Sequence, residues 1–238
     1  MEQGSRDKDE RDSEKALAAA RAVEFVRDGM SIGLGTGSTA AHVVTLLGQR
    51  VAQGLRIEGI ATSHATEALA IRCGIPLTSF AKRLRLDLTI DGADEIDPEF
   101  RLIKGKGGAL LHEKIVAAAS DKLVIVADAS KLVPILRGAV PIEVVPFGFE
   151  RVAHQLKAMG GEARLRLDAA GNPYRTDEAN WILDTEFGEI RNPEKLASDL
   201  DSLVGMVEHG LFLGMTDTVI VADAGQVKTL HARRVEAK

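Results

Sequence analysis

The chain predicts an α/β fold: a doubly wound, mainly parallel sheet, joined to a second, smaller α+β domain of ferredoxin-like pattern. Three observations carry that prediction. Short apolar runs alternate with helix-length stretches over residues 13–131, a glycine-rich turn follows the first of those runs, and after Pro134 the order of elements changes to β-α-β-β-α-β.

In order, an Ala-rich helix opens at Ser13, a capping residue, and closes at Gly29. A strand follows at 31–34, then a helix over 39–51, a strand at 57–62, and a helix over 65–73 stopped by Gly74 and Pro76. Strands at 86–90 and 123–127 flank a charged cluster and a helix over 109–120. This βαβ rhythm implies parallel strands with helices on both faces. The second domain reads as strand 140–145, helix 149–159, strands 163–167 and 181–184, helix 194–204 and strand 206–209. Strand 218–222 returns to the first sheet. The expected organisation is therefore a solvated, disordered tail at 1–12, a first domain at 13–136 and 211–238, and a small domain at 137–210.

Composition narrows the function class. The 238 residues carry 30 basic and 35 acidic side chains, with no basic stripe, which argues against a nucleic acid or an anionic membrane as partner. A small-molecule ligand is the better expectation. The single cysteine, Cys73, excludes an intrachain disulfide and fits a reducing compartment, so the cytoplasm is expected. The first dozen residues lack the apolar core of a signal peptide, and charged residues interrupt every run long enough to suggest a membrane span.

Chemistry concentrates at strand ends. Gly33-Leu34-Gly35-Thr36-Gly37-Ser38-Thr39 turns the first strand into a helix; its glycines allow close approach of an anion, and amides with the hydroxyls of Thr36, Ser38 and Thr39 offer donors for a phosphate. A plain tight turn is the alternative. The loop lacks a P-loop ending, Ser38 stands where a dinucleotide fingerprint has its third glycine, and the second strand does not end in an acidic residue. A compact sugar phosphate fits better than a nucleotide. Thr62-Ser63-His64-Ala65-Thr66 reads equally as a second polar lining or as a helix cap. The six histidines are scattered, so no zinc is expected.

The densest cluster is Asp91-Gly92-Ala93-Asp94-Glu95-Ile96-Asp97, then Lys104-Gly105-Lys106-Gly107-Gly108 and Glu113. Carboxylates that trade protons beside a fixed cation suit abstraction of a proton from carbon. An Asp-rich turn is the second reading and a magnesium site the third; Lys104 counts against a divalent ion, because the two would compete for the same oxygens. Glu113 lies one turn into a helix among Leu110, Leu111, Ile115 and Val116, where apolar walls raise carboxylate basicity. A solvent-facing glutamate paired with Lys114 or Lys106 is the alternative. Lys131 closes the strand at 123–127 and faces the same crevice, although a surface lysine is the commoner fate.

Taken together, Gly35-Thr36-Gly37-Ser38-Thr39, Asp91-Gly92-Ala93-Asp94-Glu95, Lys104-Gly105-Lys106-Gly107-Gly108-Ala109-Leu110 and Glu113-Lys114 closely resemble the signature segments of type A ribose-5-phosphate isomerases. The resemblance runs from about Lys15 to Thr229 and includes Pro141 to Phe147, Thr176 to Asn180 and Glu208 to Phe212. It implies an aldose-ketose isomerase without metal or cofactor, interconverting D-ribose 5-phosphate and D-ribulose 5-phosphate in the non-oxidative pentose phosphate pathway. It further implies a Rossmann-like domain plus a small α+β domain, and a homodimer or homotetramer, with assembly expected through the small domain. The family's base matches Glu113. Its substrate contacts match Thr36, Gly37, Ser38, Thr39, Asp91, Gly92, Ala93, Asp94, Lys104, Gly105, Lys106, Gly107 and Lys131, with Lys15 as a further phosphate contact. Two residues depart from the family pattern: Lys106, often glycine or arginine, and Ala179, often glycine.

The mechanism expected is ring opening assisted by Asp91 or Asp94, transfer of the C2 proton to C1 by Glu113, and an enediolate held by Lys104 and the following amides. The hydroxyl loop, with Lys131 or Lys15, would anchor the phosphate. Two other classes were weighed. A non-catalytic sugar-phosphate sensor could dispense with Glu113 and Lys104, and a nicotinamide dehydrogenase would need the acidic residue missing after the second strand.

Overall fold

The computed structural model describes residues 2–232, with side chains from residue 10 onward. Met1 and residues 233–238, which fall in the expected tail and first domain, lie outside the described residues. The chain runs α1 (Glu2–Ala22), β1 (Ser31–Leu34), α2 (Ser38–Ala52), β2 (Glu58–Ala61), α3 (His64–Arg72), β3 (Leu88–Gly92), β4 (Glu95–Ile96), β5 (Leu102–Ile103), α4 (Leu110–Ala118) and β6 (Leu123–Asp128). It continues with β7 (Val140–Val144), α5 (Phe149–Ala158), β8 (Glu162–Leu165), β9 (Trp181–Glu186), α6 (Pro193–Asp201), β10 (Met206–His209), β11 (Leu211–Phe212), β12 (Thr218–Asp223) and β13 (Gln226–His231).

Two compact units divide the chain, one of residues 1–92, 115–131 and 215–238, the other of 93–114 and 132–214. The first is built on a six-stranded sheet in the order β13-β12-β6-β3-β1-β2. Five strands are parallel and β13 turns back antiparallel on β12. That hairpin was not anticipated. Its two-residue turn, Ala224-Gly225, has both residues at positive φ, as the right-handed twist of a hairpin demands, but an Ala-Gly pair is a weak signal for it.

One face of this sheet is covered by α1, α2 and α3, whose Ala18, Ala22, Val43, Val44, Leu47 and Ala70 pack on Ile32, Leu34, Ile90, Val126 and Ile220. The other carries the second half of α4, and there Val116 lies so close that a Cβ on Gly33 would meet its Cγ1 at 2.5 Å. A doubly wound sheet with helices on both faces is thus present, as the apolar periodicity predicts.

Within the solvated tail expected at 1–12, residues 2–12 are instead the beginning of α1. Its residues are mostly good helix formers with no proline, so propensity alone extends the helix where no apolar face announces it. Residues 10–12 are exposed, and Asp12 Oδ1 lies 3.1 Å from His42 Nε2 on α2.

In the second unit a four-stranded antiparallel sheet runs β10-β7-β9-β8, with α5 between β7 and β8 and α6 between β9 and β10. This is the split βαβ order expected for a ferredoxin-like domain. Its core gathers Val140, Ile142, Val144, Val152, Leu156, Leu183 and Leu200. A second sheet, β11-β5-β4, was not foreseen. It also moves the expected boundaries: residues 93–114, 132–136 and 211–214, assigned above to the first domain, group with the second unit, because β5 pairs antiparallel with β11 and Ile103, Leu136 and Leu211 all enter its core. Two-residue strands carry no legible period, so the pairing was invisible in the sequence.

Ala179 holds a left-handed backbone, φ 61°, in the turn that joins Thr176 to Asn180. That conformation costs a residue with a Cβ about 1–2 kcal/mol. Ala179→Gly is therefore expected to raise the urea midpoint by roughly 1 kcal/mol of stability; a variant no more stable than the parent would show that the turn carries no such strain.

Candidate active site

In the first unit β1 lies between β2 and β3, so the direction of winding reverses between the ends of β1 and β3. Open α/β sheets bind ligands at this switch point. Gly35 N donates to Ile90 O at 3.0 Å, and a Cβ on Gly35 would stand 2.2 Å from Asp91 Oδ1, so only glycine lets the turn pass that carboxylate. Gly37, at φ 108°, starts α2 with no side chain capping the helix. Gly37 and Ser38 are exposed, and the first-turn amides of a 15-residue helix form a donor set suited to phosphate.

Thr36 departs from its expected role. Its hydroxyl lies 2.7 Å from Thr62 Oγ1, 2.8 Å from Ser63 Oγ and 3.1 Å from Thr66 Oγ1, and so buttresses the loop from behind. Thr66 in turn donates to Gly35 O at 3.0 Å, while Ser63 Oγ caps α3 by accepting from Thr66 N. Of the two readings offered for the 62–66 turn, the cap is the one observed, and that turn also anchors the phosphate loop. The donors left toward solvent are the amides, Ser38 and the half-buried Thr39.

Asp91 is 1% exposed, and its Oδ1 accepts from Thr36 N at 3.1 Å and from Gly92 N at 2.8 Å. It holds the loop's shape. Lys131 ends a 3-10 turn (Ala129–Lys131) after β6, and Lys15 sits on α1; both are half-exposed, and neither forms an ion pair among the described residues. The structure thus brings Thr36, Gly37, Ser38, Thr39, Asp91 and Gly92 together at one strand-end cluster.

The second unit carries the rest of the predicted residues: Ala93, Asp94, Lys104, Gly105, Lys106, Gly107 and Glu113. Asp94 is half-buried and accepts from Lys106 N at 2.9 Å. Two neighbouring carboxylates prove architectural. Glu95 accepts from the amides of Arg137 and Gly138, and Asp97 closes a turn through the amides of Glu99 and Arg101 and the Arg101 guanidinium. The Asp-rich turn therefore accounts for Glu95 and Asp97.

Lys104 and Glu113 form a buried ion pair, with Nζ 3.3 Å from Oε2 and the side chains 3% and 5% exposed. Glu113 does not face solvent, and the alternative partner Lys114 is engaged elsewhere, donating to Glu208 Oε1 and to His209 O, each at 2.6 Å. Both ammonium groups sit over the fully buried Phe212 ring, Lys104 at 5.3 Å and Lys114 at 5.0 Å from its centroid. Burial lowers the Lys114 pKa, with Glu208 opposing. Burial, and then the Lys114 charge, push His209 down to about 4, so it is neutral near pH 7. The Lys104 amide donates to Gly210 O at 2.8 Å, and a Cβ on Gly210 would meet Lys104 O at 2.2 Å. Phe212 and Gly210 were given no role by sequence reasoning; their only signal was the recurring block from Glu208 to Phe212.

A carboxylate held dry against a lysine, followed by a glycine loop, can take a proton from carbon and hold the resulting anion. Among the described residues no group of three or more His, Cys, Asp or Glu side chains is placed to hold a metal, and no helix is long and apolar enough to cross a membrane.

A family model, ribose 5-phosphate isomerase A (phosphoriboisomerase A), matches residues 58–226. The chain belongs to the ribose 5-phosphate isomerase A family. A ribose-5-phosphate isomerase A of Sphingopyxis alaskensis is 50% identical over 220 residues, covering 92% of this chain and 96% of the relative. A D-ribose-5-phosphate isomerase solved in complex with phospho-erythronic acid superposes with TM-score 0.90 at 37% identity, covering 93% of this chain and 99% of that one. The ribose 5-phosphate isomerase A of Methanocaldococcus jannaschii gives TM-score 0.88 at 39% identity, covering 92% and 98%. Membership of the ribose 5-phosphate isomerase A family agrees with the resemblance seen in the sequence.

Removing Lys104 while keeping Glu113 leaves a buried carboxylate uncompensated, which costs about 3–5 kcal/mol. Lys104→Met is expected to lose that much in urea unfolding at pH 7, whereas the double variant with Glu113→Gln regains a large part of it. Equal destabilisation of single and double variants would show that the two side chains are not coupled.

Proposed function

We propose that this chain interconverts D-ribose 5-phosphate and D-ribulose 5-phosphate, with Glu113 as the base that moves a proton between C2 and C1. The observation that carries the reading is the buried Lys104–Glu113 pair beside the glycine loop. Asp91 or Asp94 assists ring opening. Glu113 then takes the proton from C2, the electron pair moves toward the carbonyl at C1, and the enediolate oxygens gain negative charge. Lys104 and the amides of Gly105 and Gly107 stabilise that charge more than they stabilise the neutral sugar, which is what lowers the barrier. Return of the proton to C1, with the C2 hydroxyl proton passing to O1, gives the ketose. The amides at the start of α2 with Ser38 and Thr39 bind the phosphate, with Lys131 and Lys15 adding charge, so that affinity remote from the reacting carbons holds them in place.

Support comes also from the relative solved with phospho-erythronic acid. A phosphorylated four-carbon acid carries a planar carboxylate where the enediolate would be planar. A sugar-phosphate sensor is not favoured, because it would have no need to keep a lysine and a glutamate paired and buried. The reaction belongs to the non-oxidative pentose phosphate pathway, and a net charge of −5 fits a cytoplasmic enzyme with a small-molecule substrate rather than a nucleic acid.

Homo-oligomerisation, as dimer or tetramer, is supported by apolar side chains left open on the second unit. Phe147 is 93% and Val204 88% exposed, and Val145 N donates to Gly205 O at 3.0 Å, so the patch spans two adjacent segments. Phe147→Asp with Val204→Asp is expected to reduce the mass measured by sedimentation equilibrium; an unchanged mass would place the interface elsewhere.

The decisive measurement uses metal-stripped protein and ribose 5-phosphate in deuterated water, followed by NMR. Ketose should form with deuterium at the exchanged carbon. Glu113→Gln keeps the size of the side chain but not the base, and should lower turnover by at least about a hundredfold, the scale of general-base catalysis, while KM changes little. Near-normal turnover in that variant would reject Glu113 as the base.

A further inference from the structure

The glycine loop from Lys104 to Gly108 is flexible by composition, yet one face of it is tied down by a side chain sixty residues away. Arg166 follows β8 in the second unit, with its side chain 14% exposed. Its Nη1 donates to Gly105 O at 3.0 Å and to Lys106 O at 3.1 Å. The other edge of the guanidinium is held by Asp184 on β9, through Nε to Oδ2 at 2.8 Å and a second contact from Nη2 to Oδ1. Tyr174 packs beneath, its ring 5.8 Å from the guanidinium carbon, and fits against Gly108, where a Cβ would stand 2.3 Å from the tyrosine hydroxyl.

A trans peptide points its C=O and N–H in opposite directions. Fixing the carbonyl of Lys106 therefore aims the amide of Gly107 away from Arg166, and fixing the carbonyl of Gly105 does the same for the amide of Lys106, which Asp94 receives at 2.9 Å. Glycine at 105, 107 and 108 makes the opposite peptide orientation accessible. A flipped peptide would turn a carbonyl oxygen toward developing negative charge and remove a donor from it.

We propose that Arg166, oriented by Asp184, is a positioning residue for isomerisation: it holds the carbonyl of Lys106 so that the amide of Gly107 stays available to the enediolate, and shares the carbonyl of Gly105 with the Gly108 amide, which closes the loop at 3.0 Å. Two carbonyls and a bidentate carboxylate use the planar fork of a guanidinium, which the point charge of a lysine cannot reproduce. The inference rests on the isomerase reading given above. It assigns a function to a residue of the small domain outside every motif that resembles the family.

The test compares the parent with Arg166→Met, Arg166→Lys and Asp184→Asn, each as the full chain. Amide hydrogen exchange across Lys106 to Gly108 should accelerate in all three, most in Arg166→Met. The kcat for ribose 5-phosphate should fall about tenfold to a hundredfold in Arg166→Met, as expected when a catalytic group is misplaced without being removed, while KM stays within about threefold and the folded fraction matches the parent. Arg166→Lys should not recover the loss, and millimolar ethylguanidinium should recover part of it in Arg166→Met. Parent-like kcat in Arg166→Met, or parent-like exchange in the loop, overturns the proposal, as does a loss of activity that follows only a loss of folded protein in both Arg166→Met and Asp184→Asn. A parent that makes no ketose while the variants still loosen the loop would instead overturn the isomerase reading and leave the clamp standing.

Discussion

Burying a lysine and a glutamate together is expensive, since each ion loses several kcal/mol of hydration that mutual attraction restores only with good geometry. The Lys104–Glu113 pair brings Nζ to 3.3 Å from Oε2, and several residues of the second unit surround it. Gly210 lets the chain pass against the Lys104 backbone, Phe212 puts an electron-rich ring face under the ammonium, and the first turn of α4 carries the carboxylate. A dry pair of this kind adds little to stability compared with an apolar pair of the same size. In the function proposed above the pair serves chemistry, because a base that takes a proton from carbon gains from leaving water behind.

Within each unit the structure separates residues that touch charge from those that shape the backbone. Glu95 and Asp97 spend their oxygens on loop amides and on Arg101, and Asp91 and Asp94 each give one oxygen to loop amides as well. Thr36, the loop hydroxyl nearest the first strand, is turned into a cluster with Thr62, Ser63 and Thr66. Lys114, next in sequence to Glu113, is occupied by Glu208 and the carbonyl of His209. The arrangement leaves one buried carboxylate-ammonium pair, one helix start open to an anion, and glycine loops whose conformation is held by their neighbours.

Buried strands of four or more residues and the helices between them are legible in the sequence because burial on a sheet imposes a period that survives in one dimension. Strand Met206–His209 appears with the bounds expected, α2 and α3 differ by a residue at each end, and β6 runs one residue further. The elements missed lack that period. β4, β5 and β11 are two residues long, β13 is an exposed edge, and the start of α1 is polar on every side. The run of carboxylates, lysine and glycine stands out in the sequence as well, and the structure accounts for Glu95 and Asp97 within it as holders of loop amides.

By itself the sequence determined which groups are available: a glycine-rich turn after the first strand, two aspartates after the third, and a lysine and a glutamate bracketing a flexible loop. Only the tertiary structure decided how they are used. That Glu113 pairs with Lys104 and not with its neighbour Lys114, that Thr36 faces inward, and that Arg166 grips the loop all follow from contacts between segments far apart in the chain, where the hydration lost on burial, not local propensity, selects each partner.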